Sequence, residues 1–141
     1  MKRINHTIYT CFLIYLLSSC SGIDVKHITE NYYLTKVDYS TNNQQLSYKL
    51  EQYEGGFVGV VEPIVSAIGF NEDFIIVKQH PAPFSETTID KNITFYYIVP
   101  LKKKVHHSPD ENKYGPFSHQ EYLQKRKELK IPNELTFSKE L

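Results

Sequence analysis

The chain has 141 residues, with 16 Lys plus Arg against 16 Asp plus Glu, 6 His, 2 Cys, 11 Tyr, 8 Phe and no Trp. That is the length of about one domain, and 40% apolar with 23% charged residues excludes a disordered acidic tail, a collagen and a polytopic membrane protein. Balanced charge also speaks against nucleic acid as a partner.

The first residues divide into a basic start, Met1-Lys2-Arg3, a polar spacer, Asn5-His6-Thr7, and an apolar run from Ile8 to Leu17. This is the layout of a secretory signal. Ten apolar residues make a helix of about 15 Å, half the thickness of a bilayer core, so the run does not span as an anchor. It ends in Leu17-Ser18-Ser19-Cys20. That stretch resembles the bacterial lipobox, in which a branched apolar residue and two small ones precede a lipidated cysteine.

The resemblance implies cleavage between Ser19 and Cys20, a diacylglycerol or acyl group on Cys20 as the sole non-protein component, and a bacterial, extracytoplasmic domain attached to a membrane. Two or three acyl chains suffice for stable attachment. Ser21 is not the aspartate that marks retention in the inner membrane, so in a cell with two membranes the periplasmic face of the outer one is expected. Ordinary signal cleavage with Cys20 left free, or a chain kept in the cytoplasm, stays open as the alternative. Cys11 follows the bulky Tyr9-Thr10 and is expected to leave with the signal.

Residues 1–19 are thus read as a lipoprotein signal peptide, 20–29 as a lipidated tether and 30–141 as one globular domain. Cleavage leaves 122 residues with 14 basic and 16 acidic side chains, since only Lys2 and Arg3 are removed. With Cys20 acylated, no thiol remains for a disulfide, a metal site or a nucleophile.

From Glu30 onward period two dominates. Tyr32 to Tyr39 alternates Tyr33, Thr35, Val37 and Tyr39 against Leu34, Lys36 and Asp38, and the polar Ser40-Thr41-Asn42-Asn43 predicts a turn. Leu46, Tyr48 and Leu50 alternate with polar neighbours over 45–53, the pattern of a half-buried outer strand. Gly55-Gly56 and Gly59 predict a turn and a bulge, and Pro63 breaks any ladder there. Ile64 to Lys78 reads as a hairpin around Asn71-Glu72-Asp73. Phe74–Val77 and Ile93–Val99 are apolar on both faces, as central strands covered on both sides are. The proline-rich stretch 81–88 and the charged stretch 102–111 predict surface loops.

The strongest helix signal is Ser118 with Glu121 three residues on, a capping box preceded by Phe117, which can staple onto Tyr122. The helix is expected from His119 to about Lys130, supported by a Glu121–Lys125 pair and a narrow stripe of Tyr122, Leu123, Leu129 and the Arg126 stem, and ended by Pro132. Residues 133–137 are expected to return as a short edge strand. The fold class expected is α+β: an antiparallel β-meander sheet of about five strands with one C-terminal α-helix packed on it.

Ala67-Ile68-Gly69-Phe70, Phe74 to Gln79, Tyr96-Tyr97-Ile98-Val99 and Tyr114-Gly115-Pro116-Phe117-Ser118, together with the lipobox, resemble a family of small bacterial lipoproteins that carries only a domain of unknown function. The resemblance covers most of residues 30–131 and rests on structural motifs, a hairpin and a capped helix. It implies a fold and an address, and no activity.

Chemical constellations are sparse. His106-His107 with Asp110, Glu111 and His119 supplies metal-ligand residue types, but adjacent histidines on a loop point apart and no helical i, i+4 pair is present, so a solvated loop and no metal are expected. Ser66, Ser85 and Ser118 sit in no nucleophile elbow. Glu51 with Glu54, and Glu72 with Asp73, read as solvated strand and turn carboxylates rather than a glycosidase pair. Gly55 to Gly59 lacks the Lys-Ser/Thr of a phosphate loop. Lys102-Lys103-Lys104 is expected to be a solvated strand end rather than a lipid contact.

The compositional excess is aromatic: 16 of the 122 residues after Ser19 are Tyr or Phe. Adjacent tyrosines on a strand face opposite ways, so Tyr32-Tyr33 and Tyr96-Tyr97 are the candidate contact patch, one ring of each pair pointing outward. The expected role is a lipid-anchored, non-enzymatic binding module with a possible envelope protein as partner. The alternatives are an inhibitor or immunity-type protein acting through the 81–92 or 102–112 loop, and an envelope enzyme with a dispersed site.

Overall fold

The computed structural model describes residues 24–36, 43–52, 55–81, 91–102 and 108–138. Among the described residues, eight strands form two antiparallel sheets of four. The first holds β1 (Val25–Thr29), β2 (Tyr32–Lys36), β3 (Gln44–Lys49) and β4 (Phe57–Val61); the second holds β5 (Val65–Phe70), β6 (Phe74–Gln79), β7 (Phe95–Pro100) and β8 (Tyr114–Phe117). Each strand pairs with its neighbour in sequence, so both sheets are simple meanders.

The single sheet of about five strands expected from the sequence is therefore corrected to two sheets of four. The break falls at Glu62-Pro63-Ile64: β4 pairs backward with β3, β5 pairs forward with β6, and no strand is shared. Two of the additional strands come from segments with weak signals. Val25–Thr29, expected in the tether, adds β1 at an edge, and Tyr114–Phe117, rich in Gly and Pro, adds β8 at another. Residues 133–137 form no strand; they run beside β5, where the Ser138 amide donates to the Ile68 carbonyl at 2.8 Å.

The two sheets face each other across one core. Ile28, Tyr32, Leu34, Leu46, Val60 and Val61 of the first meet Val65, Ile68, Ile75, Val77, Tyr97 and Val99 of the second. Val60 and Val61 both reach it because β4 carries the bulge expected near Gly59: Leu46 opposes Val61 while Ser47 opposes Gly59. A second core lies on the far face of the second sheet. There Ile76 and Ile98 pack against Tyr122 of α1 (His119–Glu128) and against Ile131 and Leu135 beyond it. The layers are thus sheet, sheet and helix, and β6 and β7 are covered on both faces, as their apolar runs predict.

The capping box forms as expected: the Glu121 amide donates to Ser118 Oγ, and the Ser118 amide donates to Glu121 Oε2 at 2.8 Å. That engages the Glu121 carboxylate, so the expected Glu121–Lys125 pair gives way to Lys125–Glu128 at 2.9 Å. Two glycines are dictated by close approach. A Cβ on Gly69 would lie 2.1 Å from the Thr136 carbonyl oxygen, and Gly115, at φ +120°, would place one 2.6 Å from the Tyr96 carbonyl oxygen. The turn at Asn71 closes through its side chain, whose Oδ1 accepts from the Asp73 and Phe74 amides at 2.9 Å each.

Candidate functional site

In β2 the residues alternate strictly: Tyr32 and Leu34 enter the inter-sheet core, which turns Tyr33 and Thr35 to the outer face of the first sheet. Register then sets their neighbours. Tyr33 lies opposite His27 of β1 and Ser47 of β3, and Ser47 lies opposite Gly59 of β4, two residues along from Phe57. The ring centroids of His27 and Tyr33 are 4.9 Å apart, and those of Tyr33 and Phe57 5.4 Å apart in an edge-on arrangement. Because β2 and β4 flank β3, the Tyr33 and Phe57 rings meet above β3. The small side chain of Ser47 leaves them room, and its exposure is 0% although it sits on an outer face.

The result is an aromatic strip, His27–Tyr33–Phe57, reaching across all four strands. Polar groups beneath and beside it are paired. The hydroxyls of Thr35 and Ser47 bond to each other at 2.7 Å, His27 Nε2 contacts the Glu30 carbonyl oxygen at 2.8 Å, and Asn31 Nδ2 donates to Glu51 Oε1 at 3.1 Å at the margin. Val25, in register with Thr35, extends the same face and is 36% exposed. Covering such a surface leaves the Thr35 and Ser47 hydroxyls with their partners, which suits it to contact.

The four tyrosines of the expected patch go to three places and do not form one row. Tyr32 is in the core, edge-on to Tyr48 at 5.1 Å, where burial first, with Tyr48 and Glu30 adding, pushes its phenol up to about 12. Tyr97 is also in the core. Its hydroxyl donates to Gln79 Oε1 at 2.9 Å, and Gln79 Nε2 donates to the Pro63 carbonyl at 2.9 Å, binding the inter-sheet connection to β6. Burial raises the Tyr97 pKa as well.

Tyr96 faces the helix. It stacks on Tyr122 at 4.9 Å and 21°, beside Phe137 and His119, with the Lys78 ammonium 4.7 Å from the Phe137 ring centroid. This cluster clamps the helix and the C-terminal stretch onto the second sheet. Tyr33 alone of the four joins the outer strip. Phe57 and His27 escaped sequence reasoning because Phe57 follows a glycine turn and His27 lay in the expected tether. The signal that finds them is register, which requires the pairing of β1 and β4 to be known.

Other candidates have structural employment. Ser118 caps the helix, and its amide and hydroxyl hold the Glu121 carboxyl below the usual range. Ser66 Oγ donates to the Lys78 carbonyl at 3.4 Å. Asp73 pairs with Lys102, Glu72 is exposed, and Asp110, in the 3-10 turn Pro109–Asn112, accepts from the Ser108 hydroxyl, which lowers its pKa. Glu111 and His119 are exposed. Among the described residues no three His, Cys, Asp or Glu side chains gather as a metal site, and no helix is long and apolar enough to cross a membrane. Cys11, Ser19, Cys20, Glu54, Ser85, Lys103, Lys104, His106 and His107 lie outside the described residues.

Comparison with curated proteins and with solved structures returned no match. A family model does match, over residues 29–140, from the end of β1 through the helix and the stretch that folds back beside β5. The chain therefore belongs to the family described as protein of unknown function (DUF3997).

Proposed function

We propose that the chain is a bacterial lipoprotein, cleaved before Cys20 and held on a membrane by acyl chains on that residue, whose domain works in the cell envelope by contact rather than catalysis. The observation that carries the reading is Leu17-Ser18-Ser19-Cys20 directly behind the apolar run Ile8 to Leu17, with the first strand beginning five residues later at Val25. Two or three acyl chains provide attachment that a single one does not. The aromatic strip, lying over the mutually bonded hydroxyls of Thr35 and Ser47, supports a contact role. In a cell with two membranes, Ser21 directs the protein to the outer one, on its periplasmic face.

Intact mass and membrane fractionation of the wild type beside Cys20→Ala, both expressed in a bacterial host, test the anchor. The expected wild type is membrane-bound, with an acylated chain beginning at Cys20, while Cys20→Ala keeps residues 1–19 or becomes soluble. Identical mass processing and fractionation of the two would overturn the reading.

A further inference from the structure

We infer that the outer face of the first sheet, with the His27–Tyr33–Phe57 strip at its centre, lies on the headgroup layer of the membrane that holds the anchor. This rests on the lipidation of Cys20 proposed above and adds an orientation to it. Reach is the first argument. From Cys20 to Val25 is five residue steps, at most about 17 Å of extended chain, and β1 is the edge strand of the first sheet. Packed sheets stand about 10 Å apart, and the helix adds a further layer of about 10 Å. The tether thus holds the first sheet against the bilayer and leaves α1 in the layer farthest from it.

The chemistry of the two outer surfaces divides the same way. The strip presents two aromatic rings, a histidine and the exposed Val25, and the Thr35 and Ser47 hydroxyls beneath it bond to each other, so covering the strip does not strand them. Tyr33, an apolar ring with a polar tip, is a residue type that gathers at membrane interfaces. Lys49, exposed and opposite Phe57 in register, stands beside the strip, where its long stem can reach headgroups. Glu30 and Glu51 stand at the same margin, so the attraction is through contact and not net charge. The far layer shows exposed Glu121, Gln124, Lys127 and Glu128 around one exposed apolar side chain, Leu123.

The absence of Trp from the chain makes the test clean. Phe57→Trp, or Tyr33→Trp should the first fail to fold, places a single indole in the strip, and Leu123→Trp places one on the exposed side of the helix. Each full-length variant is made in a bacterial host and reconstituted in phosphatidylethanolamine–phosphatidylglycerol vesicles brominated on the upper acyl chain, and its intact mass is taken. The expected result is a blue shift and loss of most emission for the strip variant, with neither for Leu123→Trp. An acylated strip variant that stays water-exposed and unquenched, or equal quenching at both positions, overturns the orientation alone and frees the strip for a protein partner. A chain lacking the acyl mass overturns the anchor and the orientation together.

Discussion

Lys130 stands at φ 54°, in the left-handed region, where it closes α1 in a Schellman arrangement. Its amide donates to the Lys127 carbonyl at 3.1 Å and that of Ile131 to the Arg126 carbonyl at 3.0 Å. The conformation disfavours any side chain with a Cβ by roughly 1–2 kcal/mol, while Lys130 itself is exposed. Lys130→Gly is expected to stabilise the domain by about 1 kcal/mol, read as a raised urea midpoint at unchanged slope; a lowered midpoint would show that the lysine stem matters more than the backbone. Pro132 marks the helix end in the sequence, but a lysine is not the residue that announces a left-handed cap, so the motif itself was not legible.

At the scale of elements, one guanidinium supplies polar ties between α1 and the C-terminal stretch, beside the apolar packing of Tyr122. Arg126 donates to the Pro132 carbonyl at 2.7 Å, the Leu135 carbonyl at 2.8 Å and the Tyr122 hydroxyl at 3.1 Å, which ties the helix to the segment covering β5. Arg126→Ala is expected to destabilise the domain by about 2 kcal/mol, as loss of charge-assisted bonds does, and to speed hydrogen exchange at the Ile131 and Leu135 amides while β6 stays protected. Unchanged exchange there would assign the tie to the aromatic clamp of Tyr96, Tyr122 and Phe137 instead. The capped helix and the Asn71 hairpin were legible because their determinants are local: Ser118 with Glu121, and an Asn side chain that closes its own turn. The division into two sheets was not, since alternation tells which way Leu46 or Ile75 faces and not which sheet receives it. The strip was legible only at Tyr33, because Phe57 and His27 join it through strand pairings that no local pattern announces.

The molecule as a whole is organised around the inter-sheet core, and its tyrosines tie that core to pH. Tyr32 stays neutral to about 12 in the folded chain, against 10.0 for an unburied phenol, and burial raises Tyr97 and Tyr122 likewise, Arg126 opposing the rise at Tyr122. Between those values the unfolded chain has released protons that the folded one retains, so stability is intact below about pH 10 and falls as pH climbs toward 12. Denaturant titrations followed by circular dichroism across this range should show a flat midpoint and then a decline, shallower in Tyr32→Phe; an equally steep decline in Tyr32→Phe would place the sensitivity elsewhere. The three-residue passage Glu62-Pro63-Ile64 has a further consequence, for how the molecule is born. Every strand pairs with its immediate successor or predecessor within its own sheet, so a chain delivered N-terminus first, from a ribosome or a translocon, completes four paired strands before the fifth arrives. Those four present Ile28, Leu34, Leu46 and Val61 to no partner until β5, β6 and β7 emerge. The nascent first half is therefore the stretch that sticks to its surroundings, and the interval between delivery of Val61 and of Val99 is when a holding chaperone has work to do.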